Sequence, residues 1–239
     1  MYESEPAHKV YQALFNALKN HFHDCLTAYD KMLEFLIVDF QPFMLYKIEG
    51  SLRWFFENEN LAKELVSVYE IDKIRASMKD HLGMMYCSLQ SRKTLEAKGQ
   101  FITPYNISRF IAEMTLGENK EPVNVLDPAC GTGSMLLAAH EINPKALLIG
   151  VDIDLRAVRT CMTNFAIHGI KGYVLCADSL LHEIDISKEN GRNNWKYCNS
   201  WHSRFDKMNG FSATSAKSVE TADAKEAIFK PQKTISEFV

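Results

Sequence analysis

Apolar residues along the first 40 positions recur three or four apart, as they do on one face of an α-helix. The pattern over residues 8–40 therefore predicts one or two amphipathic helices whose apolar faces pack on other elements. Segments rich in aromatic residues follow at 43–56 and 84–89, and polar stretches separate them. We expect a helical amino-terminal domain over residues 1–97. The positions that form the first stripe are Val10, Leu14, Leu18, Phe22, Leu26, Tyr29, Leu33 and Leu36.

A different pattern begins near residue 122, where short apolar runs each lead to a carboxylate. The runs before Asp127, Asp152 and Asp178 suit buried strands, and that before Asp127 contains Val123, Val125 and Leu126. Apolar positions between the last two runs recur at helical spacing, with Asp154 as the expected helix cap and Gly169 closing the helix. Strands that alternate with helices predict an α/β unit with a parallel sheet.

The segment Asp127-Pro-Ala-Cys-Gly-Thr-Gly-Ser134 joins the first predicted strand to a helix expected from about Ser134. Gly131 and Gly133 let the main chain pass close to a ligand, although glycines in such a turn also serve merely to reverse direction. An acid at the end of the second strand would lie beside this loop and accept hydrogen bonds from a ribose diol. Because three strand-end acids gain nothing from core packing, they favour a nucleoside ligand.

Composition and charge exclude several classes of protein. The chain is 46% hydrophobic with a net charge of -3, and no apolar run approaches the roughly 20 residues that span a bilayer. Its first six residues are acidic where a signal peptide would be basic. The six cysteines show no Cys-x-x-Cys spacing, which predicts reduced thiols in a cytoplasmic protein. His21, His23 and Asp24 lack the spacing of a two-histidine site, so we expect no metal.

Residues 187–239 form a polar stretch, which we expect to be a partly disordered tail. It carries nine Lys and Arg against six Asp and Glu. Trp195, Tyr197, Trp201 and Phe205 are interleaved with the first of these charges, and such a mixture can grip phosphates and stack bases. A poorly ordered tail is the simpler interpretation, and we prefer it.

Five motifs resemble, in order, those of the adenine-specific DNA methyltransferases, and the resemblance is closest to the modification subunit of type I restriction systems. They are Gly99-Gln-Phe-Ile-Thr-Pro104, Asp127 to Ser134, Gly150-Val-Asp-Ile-Asp154, Asn164-Phe-Ala-Ile-His-Gly169 and Ala177-Asp-Ser-Leu180. The resemblance implies a Rossmann-like class I methyltransferase sheet over residues 98–186, preceded by a helical domain. It also implies S-adenosylmethionine as cofactor and DNA as partner.

The same resemblance assigns the cofactor-binding residues. Two segments would surround the methionine moiety, Asp152 would hold the ribose, and Ile153 would flank the adenine. Asp178, followed by Ser179, would receive the adenine amino group. The residues of the two methionine-binding segments are Phe101, Thr103 and Pro104 from the first, and Asp127, Pro128, Ala129, Gly131, Thr132 and Gly133 from the second.

One departure from the family concerns the catalytic residues, which stay unknown. The family transfers methyl with an Asp/Asn/Ser-Pro-Pro-aromatic segment, which holds the target amine and stacks on a flipped base. This chain has no Pro-Pro pair. At the expected place it offers residues 204–211, which contain an Asn and an aromatic residue but no proline. We therefore expect a short or degenerate member that has little or no methyl transfer by itself.

The residues after 181 also lack the apolar pattern expected of the second half of a seven-stranded sheet. We expect only the cofactor-binding half, with an open edge on the first strand that a homodimer or a partner subunit would cover. The alternative function is a non-catalytic S-adenosylmethionine-binding partner or regulatory protein. A nicotinamide-dependent oxidoreductase is disfavoured, because Gly-Thr-Gly lacks the full Gly-x-Gly-x-x-Gly.

Overall fold

The structure is a computed structural model that describes residues 4–40, 53–118 and 120–180, with the main chain alone at 38–40. The expected tail at 187–239, its aromatic residues and the 204–211 segment lie outside the described residues.

The first apolar stripe forms two helices, α1 (Pro6–Phe22) and α2 (Cys25–Phe40). The break falls at His23, whose left-handed main chain (φ 61°) lets its amide donate to the carbonyl of Lys19 at 2.8 Å. Val10, Leu14 and Leu18 are buried, as the spacing predicts. The prediction of amphipathic helices over residues 8–40 is confirmed.

Shorter helices follow and complete the helical region. They are α3 (Arg53–Phe56), α4 (Glu59–Val68), α5 (Ile71–Arg75), α6 (His81–Ser88), α7 (Arg92–Lys98) and α8 (Tyr105–Leu116). Asp80 caps α6 by accepting a 2.8 Å hydrogen bond from the amide of Gly83, and Gly117 ends α8. The boundary of the helical domain at residue 97 stays a prediction.

The α/β unit has three described strands, β1 (Asn124–Asp127), β2 (Leu147–Asp152) and β3 (Gly172–Cys176). They are parallel, in the order β1-β2-β3. Helix α9 (Ser134–Ile142) connects the first two, and α10 (Leu155–His168) connects the second and third. Asp154 accepts hydrogen bonds from the amides of Arg156 and Ala157 at 2.9 and 3.0 Å, so the predicted helix cap is confirmed.

One expectation about the sheet is wrong for the described residues. We expected β1 to be a buried strand, but exposed and half-buried residues alternate along it, and Leu126 is 52% exposed. The reason is its place, because among the described strands β1 pairs with β2 alone. Its other edge and part of its face are therefore open in the part of the chain that the structure describes.

Helix α10 packs between the sheet and the helical region. Val158 belongs to the core beside the strands, whereas Ala157 and Ile167 belong to the core of the helical region. Arg156 makes a two-pronged ion pair with Asp30 of α2, at 2.8 and 2.9 Å. The helical region thereby fixes the helix that follows the second strand-end acid. None of the described helices is both long enough and apolar enough to cross a bilayer.

Candidate functional site

The carboxyl ends of the three strands lie side by side and bring the predicted acids to one edge. The register pairs Asp127 with Gly150 and Asp152 with Cys176. Asp178 follows β3 by two residues, and its Oδ1 accepts a 2.9 Å hydrogen bond from the amide of Leu180. The strand ends thus carry carboxylates into one region, as their positions in the sequence predict.

The glycine loop crosses this edge between β1 and α9. The amide of Gly131 donates to Oδ2 of Asp152 at 2.7 Å, and the amide of Asp154 donates to Oδ1 of the same carboxylate at 2.8 Å. Asp152 is therefore beside the first glycine, where the sequence placed it. Each of its oxygens accepts one main-chain hydrogen bond and has a second lone pair for a ligand.

Gly131 and Gly133 both have positive φ, 53° and 96°. A Cβ on Gly131 would meet nothing within 4 Å, so open space lies over the main chain at that position. A Cβ on Gly133 would instead lie 2.6 Å from Sγ of Cys161. The first glycine leaves room for a ligand, and the second permits close packing of the loop on α10.

Asp127 is partly buried at the end of β1. Burial raises the pKa of its carboxyl group, the hydrogen bond from the amide of Ala129 opposes that rise, and the nearby charge of Asp152 adds to it. The bond to Ala129 is 3.1 Å long and uses Oδ1. A cationic group bound between Asp127 and Asp152 would relieve their repulsion.

A cleft of about 570 Å³ opens over this edge, within the range of about 300–1,000 Å³ that is typical of small-molecule sites. Phe101 and Ile153 on its walls are 76% and 71% exposed, so two apolar side chains are available to flank a ring. The predicted residues that line it are Phe101, Thr103, Asp127, Pro128, Ala129, Gly131, Thr132, Asp152, Ile153, Asp178 and Ser179.

The other two predicted residues, Pro104 and Gly133, are not part of the cleft lining. Pro104 precedes α8 and Gly133 precedes α9, each at the helix cap position. The two helix starts are tied together, because the hydroxyl of Ser134 donates to the carbonyl of Thr103 at 3.0 Å. The segment that contains Phe101 is thereby held against the glycine loop, 31 residues away in sequence.

A cluster of Lys98, Tyr86 and Asp154 lines the cleft from the helical side, and sequence analysis missed it. Nζ of Lys98 lies 2.8 Å from Oδ2 of Asp154, and the hydroxyl of Tyr86 lies 3.2 Å from the same oxygen. Burial alone would raise the pKa of Asp154, but the bonds from Lys98 and Ala157 and the lysine charge lower it. No periodicity in the sequence signals this contact.

A second missed residue is Asp80, which is 3% exposed. Its carboxylate accepts hydrogen bonds from the hydroxyl of Thr132, from the side-chain amide of Asn164 and from the main-chain amide of Gly83. Burial raises the pKa of Asp80, and these three bonds oppose the rise. The one available sequence signal was Asp80 at the start of a helix, which is typical of an ordinary cap.

The site has few groups suited to covalent or metal chemistry. Cys130 is 6% exposed and its thiol donates to the carbonyl of Gly131 at 3.6 Å, which agrees with a packing role in the loop. No set of three or more His, Cys, Asp or Glu side chains within the described residues is arranged to hold a metal ion. The arrangement is suited to binding a small polar ligand by its hydroxyl, amine and ring groups.

The sequence profile of the family described as N-6 DNA Methylase matches residues 77–224, which is more than half of the chain. The match includes the glycine loop and the three strand-end acids, and it also includes Asp80 in the helical region.

Individual proteins are similar to parts of the chain. The type I restriction enzyme MjaVIII methylase subunit of Methanocaldococcus jannaschii is 33% identical over 137 residues, 53% of this chain and 23% of that protein. The type I restriction enzyme MpnII methylase subunit of Mycoplasma pneumoniae is 26% identical over 171 residues, 64% of this chain and 32% of that protein. The chain therefore spans about a quarter to a third of the length of these relatives.

A solved structure is also similar, at a low level. It is the type I restriction-modification system methyltransferase subunit from Streptococcus thermophilus, with 13% identity and a TM-score of 0.45. The similarity covers 75% of this chain and 60% of that one. This score is too low to identify a fold, so the fold rests on the strand order and register described above.

Proposed function

Because the chain belongs to the N-6 DNA methylase family, we propose that the cleft at the carboxyl ends of β1, β2 and β3 binds S-adenosylmethionine. The observation that carries the proposal is the hydrogen bond between the amide of Gly131 and Asp152, which sets a strand-end acid against an open glycine loop. In nucleotide-binding α/β folds, a glycine-rich loop and an acid that accepts hydrogen bonds from the ribose occur together.

The residues present fit the parts of this cofactor. Asp152 has acceptor lone pairs for the two ribose hydroxyls, and Ile153 offers an exposed apolar side chain for one adenine face. Asp178 and Ser179 line the same cleft and would receive the adenine amino group. Asp127 lies across the loop, where its carboxylate would accept the methionine ammonium group. Phe101 and Thr103 would enclose the methionine end.

The bound cofactor would supply an electrophilic methyl group on a sulfonium sulfur. The chain's own residues would hold its ribose, its adenine and its amino group, and the loop main chain would keep the sulfonium at the open side of the cleft. Low effective polarity around Asp127 would strengthen its attraction for a cation. These contacts bind and orient the donor, and the residues that act on the acceptor stay unassigned.

We propose DNA adenine as the methyl acceptor of the whole protein, within a restriction-modification system. Support comes from the family match and from the names of the two methylase subunits whose sequences are similar to part of this chain. The 204–211 segment, the one candidate for a catalytic loop, lies outside the described residues. We also propose a cytoplasmic location, because the five described cysteines are free thiols.

A further partner would be a second copy of the chain or another subunit that covers the edge of β1. Support comes from the exposure of Leu126 on that strand. A second exposed apolar face lies on α8, where Phe110 and Met114 are 58% and 72% exposed. Exposed apolar faces of this kind mark contact surfaces in soluble proteins.

Calorimetric titration with S-adenosylmethionine, its demethylated product and NAD tests the cofactor proposal. We expect the first two to bind with one site per chain and NAD to produce no heat of binding. Binding of NAD without binding of S-adenosylmethionine would overturn the proposal, and so would binding of none of the three to the folded chain.

A further inference from the structure

A buried carboxylate connects the helical region to the glycine loop. Asp80 precedes α6 in the helical region, yet its Oδ2 accepts a hydrogen bond from the hydroxyl of Thr132, 52 positions later in the middle of the glycine loop. Asp80 is 3% exposed and Thr132 is 6% exposed. A buried polar contact of this kind is costly to break, because the partner that remains has no water to replace it.

A third residue closes the network. The side-chain amide of Asn164 on α10 donates to Oδ1 of Asp80 at 2.8 Å and to the main-chain carbonyl of Thr132 at 3.0 Å. Asp80 therefore holds the loop directly at the Thr132 side chain and, through Asn164, at the Thr132 main chain. Two contacts at one loop residue fix both its position and its orientation.

The packing around this network leaves no room for adjustment. A Cβ on Gly83 would collide with both the carboxylate of Asp80 and the hydroxyl of Thr132, so the start of α6 presses against the loop. Thr132 also lines the cleft, whereas Asp80 does not. Asp80 is thus in direct contact with a residue of the cleft lining without belonging to the lining itself.

We propose that Asp80 is a positioning residue for the cofactor, through which the docked helical region holds the glycine loop in its binding geometry. The proposal rests on the cofactor function proposed above. It assigns to the helical region a part in cofactor affinity beyond that of its own cleft-lining side chains, which include Tyr86 and Lys98. Cofactor binding and docking of α6 are then linked, since each favours the same loop conformation.

The test is calorimetric titration of the demethylated product into the full chain and its variants. Asp80→Ala removes the three acceptor contacts and is expected to raise the dissociation constant about tenfold, which lies within the range for residues that act through others. Asp80→Asn places an oxygen toward Gly83 and Asn164, and an amide toward the Thr132 hydroxyl, which can accept. This conservative variant is expected to restore most of the affinity that alanine loses.

Tyr29→Phe is the matched control. The Tyr29 hydroxyl is also buried between the helical region and α10, 2.9 Å from Oγ1 of Thr160 and 3.1 Å from the carbonyl of Leu82, but it does not touch the glycine loop. The control is expected to lower the denaturation midpoint while changing the dissociation constant by no more than about twofold. A loss of affinity equal to that of Asp80→Ala would mean general destabilisation and would overturn the proposal.

A double-mutant cycle tests whether Asp80 acts through Thr132. In a Thr132→Val background the bond between the two side chains is already lost, and only the route through Asn164 to the Thr132 main chain remains. Asp80→Ala is therefore expected to weaken binding less than it does in the parent. Full additivity of the two changes would overturn the proposal, and so would a folded Asp80→Ala variant that binds like the parent.

If Asp80→Ala does not fold, amide exchange in the unmodified chain decides. The Gly83 amide, bound to Asp80 at 2.8 Å, is expected to exchange several-fold more slowly once product is bound, because loop and helix are linked. An unchanged rate would overturn the inference while the cofactor proposal stands. If the product does not bind to the unmodified folded chain, both the cofactor proposal and the Asp80 inference are overturned. That experiment needs no variant.

Discussion

The main-chain amide of Gly131 lies 2.7 Å from Oδ2 of Asp152 and donates a hydrogen bond to it. This contact joins the glycine loop to the end of β2. In the proposed site Asp152 would therefore hold both the loop and the ribose of the cofactor. We predict that Asp152→Ala weakens binding of S-adenosylmethionine by about 1.5–3 kcal/mol, the scale of hydrogen bonds to a charged group. Calorimetry measures it, with Asp72→Ala on the exposed face of α5 as control. Unchanged affinity in a folded Asp152→Ala variant would remove Asp152 from the site.

Gly133 permits the loop to pack on α10, and replacing it with alanine is expected to lower the free energy of unfolding. Its φ of 96° is unfavourable for alanine, and the added Cβ would lie 2.6 Å from Sγ of Cys161. Gly169→Ala, where φ is 62° and no atom lies within 4 Å of the Cβ, isolates the conformational cost of about 1–2 kcal/mol. We predict that Gly133→Ala lowers the free energy of unfolding by about 1–3 kcal/mol more than this control. Denaturant titration of both variants measures the difference, and equal losses would contradict the close contact.

We expect the free energy of unfolding to fall between about pH 6.5 and pH 4, because His81 titrates differently in the folded and unfolded chain. Burial lowers its pKa from 6.5 to about 4, although the charge of Glu5 opposes this, so the ring is neutral near pH 7 and its 3.4 Å approach to Glu5 is not an ion pair there. The unfolded chain binds a proton near pH 6.5 and the folded chain does not, so the contribution is complete above that pH and is lost toward pH 4. It amounts to about 3 kcal/mol.

The measurement for His81 is the free energy of unfolding at pH 7.5 and pH 5, in the parent and in His81→Gln. Groups that do not interact with His81 titrate equally in both proteins, whereas Glu5 and His168 do interact with it. The variant should lose less stability over this interval than the parent does. Parallel pH profiles would show that His81 is protonated equally in the folded and unfolded states.

Methyl transfer by the 239-residue chain is expected to be weak or absent, because its sequence contains no Asp/Asn-Pro-Pro-aromatic segment. Transfer of radioactive methyl to unmethylated genomic DNA measures this, with an intact modification enzyme as positive control. Robust incorporation would mean that residues 204–211, or another segment, hold the target amine. Activity that appears only after a second subunit is added would agree with the prediction.

The edge of β1 that no other described strand covers is expected either to associate with another copy or to be covered by residues 195–211. Burial of exposed apolar area on β1, such as that of Leu126, would stabilise association by about 25 cal/mol for each Å². Deletion of residues 190–239 separates the two cases in sedimentation experiments, since a dimer would persist in the first and aggregation would follow in the second. A truncated chain that is monomeric and as stable as the parent would contradict both.

The sequence alone determined the local elements of the site. Apolar runs that end in Asp127 and Asp152, and glycines between the first strand and its helix, specify a strand-loop-helix unit through short-range rules of period, capping and positive φ. The parallel sheet then followed, because strands joined by helices are parallel and their carboxyl ends meet. For the same reason the proximity of Asp152 to Gly131 was predictable.

Tertiary structure alone decided what stands behind the loop. Asp80 and Thr132 are 52 positions apart, and an acid at the start of a helix looks in sequence like any other cap. The exposure of Leu126 was equally hidden, because an apolar residue in a strand has the same local pattern at a sheet's centre and at its edge. Periodicity records which face of an element is apolar. Which neighbour meets that face depends on how distant elements pack, so the helical region's contact with the cofactor loop emerges only from the folded chain.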